Sequence, residues 1–326
     1  MATHLACQKQ DCTVAQTGRC LLNNDPATCP ERSAGASEAS PPTIADAQPL
    51  QAPASRPRFF PGLALDLEEA TRLMARRYTH VIGVLGTPDA GKTAALVSLY
   101  LLLANAKLPG FSFADSDTVM ALDALSRGAR KWNKGVMPEQ MTGHTELGND
   151  RSPGFLHLRV RSQGGDRRKY DLLFPDLPGE WTTQLIDKNV HERFSFLARA
   201  DAFWVVADGN ALLDPVSRNH AVHRTSVLLD RIRQFTSTPR PRVCLVLTRR
   251  DSRSDVPSEA ISRLSGEAER LSLVFEVFEV ASFSDSDQVA PGSGLDGLLQ
   301  RTLAAEPQHL THLARAGTRQ FLRYRK

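Results

Sequence analysis

Apolar residues run in short blocks separated by longer stretches of helical period from residue 60 onward, whereas the stretch before it has almost no large apolar positions. The blocks at His80–Leu85, Phe155–Val160, Tyr170–Pro175, Ala202–Ala207, Val243–Thr248 and Val274–Val280 read as buried strands. Helical patterns lie at Asp66–Arg77, Thr93–Ala106, Asp117–Arg130, Thr182–Arg199, Asp214–Phe235, Pro257–Leu271 and Leu295–Ala304. This alternation predicts an α/β fold, a mostly parallel sheet flanked by helices.

Residues 31–60 are dominated by Ala, Ser and Pro and cannot repay their ordering entropy, so they read as a disordered linker. The resulting division is a Cys-rich segment at 1–30, the linker, an α/β domain at 61–305 and a basic tail at 306–326. In that tail Arg315, Arg319 and Arg323 recur at helical spacing, which reads as a solvated helix end. A length of 326 residues permits this arrangement, and a net charge of +4 does not indicate a nucleic-acid partner. The longest apolar run, Ala94–Ala106, is too short to span a bilayer. The first residues lack the charged and apolar regions of a signal peptide, so a cytoplasmic location is expected.

The strand at 80–85 leads into Gly86-Thr87-Pro88-Asp89-Ala90-Gly91-Lys92-Thr93, and the helix starting at Thr93 runs on through Ala94, a G-x-x-x-x-G-K-T loop in the strand-to-helix context that a phosphate loop requires. Two glycines let successive N–H groups converge on phosphate oxygens, with the helix N-terminus behind them. Lys92 is expected to neutralise the β- and γ-phosphates, and the Thr93 hydroxyl to ligate Mg2+.

A second loop, Asp176-Leu177-Pro178-Gly179-Glu180, follows the strand YDLLFP. D-x-x-G alone is common, but behind a phosphate loop Asp176 becomes the expected Mg2+ carboxylate, and the Gly179 N–H can meet a γ-phosphate. Glu180 is positioned to orient or deprotonate a water, or simply to complement a helix N-terminus. A third loop, Thr248-Arg249-Arg250-Asp251, follows VCLVLT, and the last strand runs into Ala281-Ser282-Phe283.

With these loops in this order, the chain resembles the GTPase domains of the translation-factor-related (TRAFAC) class. The resemblance implies that Asp251 accepts from the guanine N1–H and N2 amine, and that the Ser282 backbone donates to O6. Where the class carries a lysine packed on the base this chain has Arg249, whose guanidinium can also stack on a purine. A threonine between the first helix and second strand should close over Mg2+ and γ-phosphate. Thr142 and Thr145 both qualify, with Thr142 preferred, and Arg127 or Arg130 are candidates for an arginine supplied in cis. The implied function is a GTP-dependent switch with slow hydrolysis. A scaffold that binds without turnover and a P-loop ATPase or kinase are the alternatives.

Cys7, Cys12, Cys20 and Cys29 are separated by four, seven and eight residues in a segment too short to build a core. Four thiolates suit tetrahedral Zn2+, with disulfides and free thiols as the other readings. Cys244, on an apolar strand, reads as core packing. The phrase CTVAQTGRCL with its later Cys-Pro, followed by a linker and such a domain, is similar to bacterial double-GTPase proteins of multi-component conflict systems. That similarity implies protein partners.

Overall fold

The computed structural model describes residues 7–31 apart from 10 and 21, residues 63–127, and residues 153–304 apart from 166, 252–254 and 285. The chain divides into two units, Met1–Arg58 and Phe59–Lys326. In the first, one short helix, α1 (Val14–Thr17), ends at Gly18, whose positive φ of 71° lets its N–H return to the Val14 carbonyl. The Gln8 N–H donates to the Glu31 carbonyl at 3.0 Å, which ties the two ends of this small module together.

The second unit opens with α2 (Leu67–Arg76), started by a capping box in which Asp66 accepts from the Glu69 N–H and the Glu69 carboxylate accepts from the Asp66 N–H. Strands β1 (Thr79–Leu85), β2 (Phe111–Asp115), β3 (Gly154–Ser162), β4 (Lys169–Asp176), β5 (Ala202–Asp208), β6 (Arg242–Thr248) and β7 (Val274–Glu279) form one sheet in the order β2-β3-β4-β1-β5-β6-β7. The four strands β4, β1, β5 and β6 pair in parallel, as do β6 and β7, while β2–β3 and β3–β4 are antiparallel. Strand order reverses beside β1, so β1, β4 and β5 end around one crevice, where open α/β sheets bind ligands.

One face of the sheet is covered by α3 (Lys92–Ala104), α4 (Val119–Ser126) and α9 (Leu295–Leu303), around Leu99, Phe174, Trp204 and Leu298. The other is covered by α5 (Gly179–Lys188), α6 (Gly209–Leu213), α7 (Arg218–Phe235) and α8 (Ser258–Arg270), around Leu85, Phe203, Leu229 and Leu264. The fully buried Trp204 donates its indole N–H to the Thr302 hydroxyl at 2.9 Å, a satisfied polar contact inside the first core. Among the described residues no helix is long and apolar enough to cross a membrane.

Three expectations change. Strand β2 was absent from the sequence reading because it is an edge strand with only Phe111 buried, so it carries no apolar run. The helix expected over 182–199 begins earlier, at Gly179, and breaks at Asn189, which takes a left-handed conformation (φ 53°) before a short 3-10 helix at Glu192–Leu197. The helix expected from Asp214 begins at Arg218. Asp214 instead uses its carboxylate to accept from the backbone N–H groups of Val216 and Ser217, satisfying donors of the turn that leads in.

Candidate functional site

β1 delivers the chain at Leu85 into residues 86–93, and α3 begins at Lys92 with Gly91 as its N-cap. A Cβ on Gly86 would lie 2.4 Å from the Val206 carbonyl oxygen, so only glycine lets the loop leave β1 against β5. The Lys92 side chain folds back over the loop, its Nζ donating to the carbonyls of Gly86 at 2.9 Å and Thr87 at 2.8 Å. Burial pushes its pKa down from 10.5 to about 8, against the opposing pull of Glu180, Asp89 and Asp176. Two backbone carbonyls thus accept from an ammonium that its surroundings partly desolvate.

Asp176 ends β4, and Gly179 opens α5 directly over the loop. A Cβ there would come within 2.8 Å of Pro88 Cα, so the two loops touch backbone to backbone. Glu180 sits in the first turn of α5 and is the strongest of the carboxylates acting on Lys92. The oxygen donors supplied by Thr93 and Asp176 are the hard ligands Mg2+ prefers.

The third loop is bound to the first. The Thr248 hydroxyl donates to the Ala90 carbonyl at 2.7 Å, with the Ala207 carbonyl also in reach at 3.2 Å. The Arg249 guanidinium reaches the Asp89 carbonyl at 2.9 Å and the Asp208 carboxylate at 2.6 Å. Arg250 turns inward and is only 6% exposed, its guanidinium facing Glu279 at 3.4 Å, and Asp251 is half-buried beside it. On the far side, Ser98 of α3 donates its hydroxyl to the Ser282 carbonyl at 2.6 Å, which holds the 281–283 loop against the same helix that carries Lys92 and Thr93.

The structure thus brings together residues 86–94, Asp176, Gly179, Glu180, Thr248, Arg249 and Ser282, with Asp251 following in the third loop. Thr142, Thr145 and Arg130 lie outside the described residues, and Arg127 is exposed at the end of α4. Two contributors were not singled out from the sequence. Asp208 is a carboxylate at the end of a buried strand, the same signal that identified Asp176. Ser98 had no signal, being one hydroxyl in an otherwise apolar helix.

In the N-terminal module Cys7, Cys12, Cys20 and Cys29 line one cavity of about 290 Å3 with Asp11 and Glu31. The Cys7 thiol is in hydrogen-bond contact with Cys12. Among the described residues no three His, Cys, Asp or Glu side chains are arranged as a metal-binding group. Cys244 is buried in the sheet, and burial pushes its pKa up to about 12, which makes it an inert packing group.

Residues 80–304 match the model of the Double-GTPase 2 family. No curated protein matches the chain in sequence. Among solved structures, the chain is similar to the signal recognition particle receptor SRb-GTP/SRX complex from Chaetomium thermophilum, at 15% identity over 69% of this chain and 99% of that one, with a TM-score of 0.41. It is also similar to a GTP-binding protein from the hyperthermophilic archaeon Sulfolobus solfataricus in complex with GDP, at 14% identity over 72% of this chain and 55% of that one, with a TM-score of 0.37.

Proposed function

The chain belongs to the Double-GTPase 2 family, and from that premise we propose that residues 61–305 form a GTP-binding switch domain that hydrolyses GTP slowly with Mg2+. The observation that carries this reading is the partly buried Lys92 ammonium, folded over the carbonyls of Gly86 and Thr87 with Gly179 packed on Pro88. The backbone N–H groups of residues 86–94 bind the phosphate oxygens, and Lys92 neutralises the β- and γ-phosphates. Thr93 and Asp176 hold Mg2+, joined by Thr142 when the switch closes. Asp251 and the Ser282 backbone read the guanine edge, with Thr248 and Arg249 tying that loop to the phosphate loop.

Glu180 orients the attacking water. Its negative charge opposes the phosphates, and the proximity of Lys92 offsets part of that opposition. Slow turnover follows from a carboxylate in this place. Gly179, in backbone contact with Pro88, transmits the presence of the γ-phosphate to α5, and partner proteins of a bacterial multi-component conflict system read the change in the cytoplasm.

The test is titration of the full chain with fluorescent GTP and ATP analogues in Mg2+, beside Lys92→Ala and Asp251→Asn. Tight GTP binding lost in both variants, with weak ATP binding, is the expected result. ATP bound at least as well as GTP, and unaffected by Asp251→Asn, would overturn the guanine assignment.

The cavity lined by four cysteines favours a second reading for residues 1–30, in which Cys7, Cys12, Cys20 and Cys29 close on one Zn2+ from the wall they already share. One zinc per purified chain, lost in Cys12→Ser, is expected. A metal-free, equally folded chain would sink this reading.

A further inference from the structure

Arg249 and Asp208 lie 41 residues apart in sequence, yet parallel pairing sets Asp208, the last residue of β5, opposite Thr248, the last of β6. The carboxylate therefore stands beside the loop that follows β6. Its two oxygens are divided between two tasks. Oδ1 accepts the Asn210 N–H at 2.9 Å and caps α6, while Oδ2 receives Arg249 Nη1 at 2.6 Å. The other terminal nitrogen of the same guanidinium, Nη2, donates to the Asp89 carbonyl at 2.9 Å.

Both backbones at this junction are in the left-handed region, Arg249 at φ 56° and Asp89 at φ 58°. Such a conformation is strained for a non-glycine residue, so the surrounding contacts must hold both in place. Two bonds to different nitrogens fix the plane of a guanidinium, which a single ammonium has no plane to offer. The arginine side chain remains 47% exposed, leaving surface for a ligand to cover.

We propose that Asp208 is a positioning residue for base recognition, locking the Arg249 guanidinium so that its plane forms one wall of the guanine site. Asp89 supplies the second anchor, so the wall is fixed to the phosphate loop as well as to β5. The inference rests on the guanine-binding reading above, and adds to it the residue that orients the stacking group.

Asp208→Asn keeps an oxygen able to cap Asn210 and removes the charge that holds Arg249. The experiment compares GTP with ribose 5′-triphosphate, by competition against a fluorescent GTP analogue, in wild type, Asp208→Asn, Arg249→Ala and the double variant, with unfolding midpoints recorded in parallel. For a half-exposed ion pair the expected loss of GTP affinity in Asp208→Asn is about fivefold. Ribose 5′-triphosphate affinity and the midpoint stay unchanged, and the double variant binds GTP no more weakly than Arg249→Ala. Additive losses, or a loss as large for ribose 5′-triphosphate, would overturn the proposal. If wild type prefers GTP over ATP while Asp208→Asn binds GTP normally, this inference alone fails. If wild type shows no preference for GTP, the guanine reading fails first.

Discussion

A partly buried cation and a buried anion in the same domain are handled in opposite ways. Lys92 is surrounded by backbone carbonyls and depressed in pKa by burial, with carboxylates acting on it only through the field. Asp171, on β4, is buried among partners of its own chain. It accepts from the fully buried His157 Nε2 at 3.0 Å and faces Arg77 and Arg159 at 3.5 Å each. The network continues through His157, whose Nδ1 accepts the Asp117 N–H at 3.0 Å and whose backbone exchanges hydrogen bonds with Thr118. Burial would raise the Asp171 pKa, but the His157 hydrogen bond and the two guanidinium charges outweigh it and hold the carboxyl below its ordinary range. Asp171 is held by cationic and imidazole side chains, whereas Lys92 is hydrogen-bonded to neutral backbone carbonyls.

The widest test of the contrast is Asp171→Ala. It strands one histidine N–H and two arginines, and should lower unfolding free energy by about 3 kcal/mol in chemical denaturation. Nucleotide affinity per folded molecule should stay unchanged. Lys92→Ala should invert the pattern, weakening nucleotide binding about a hundredfold while the unliganded chain unfolds no earlier than wild type. Equal losses of stability in both variants would erase the distinction.

Acid should separate the two as well. Because the folded-state pKa of Asp171 lies below its unfolded value, its contribution is complete above the unfolded carboxyl pKa and disappears as pH falls through the folded one. Denaturation midpoints followed downward from pH 6 should decline less steeply in Asp171→Ala than in wild type. At the small end, Ser98→Ala removes one hydrogen bond to the Ser282 loop and should weaken GTP binding by about 1 kcal/mol, roughly fivefold, in calorimetry.

The sequence shows the two regions unequally. The phosphate loop is legible because its chemistry is local. Glycines, lysine and threonine sit in one octet, and the flanking strand and helix are mostly apolar. The Asp171 network is not legible, because it depends on antiparallel register. Only the pairing of Arg159 with Asp171, and of His157 with Leu173 two positions away, shows that these side chains share a face. The Asp208–Arg249 pair is hidden for the same reason, requiring β5 and β6 to be neighbours in parallel. Strand β2 escaped because an edge strand needs few apolar residues, and the break at Asn189 because a single left-handed asparagine resembles any polar helix position.

Helix α3 links the phosphate loop to the 281–283 loop. Lys92 and Thr93 in its first turn are the residues proposed to meet the phosphates, and Ser98, six residues after Lys92, grips the loop proposed to read the base. At 1.5 Å per residue this offset is about 9 Å along the axis. The helix is therefore a caliper with one jaw at each recognition loop. A molecule too short to reach both jaws is held by only one of them, and any push that slides α3 along its axis moves both jaws together.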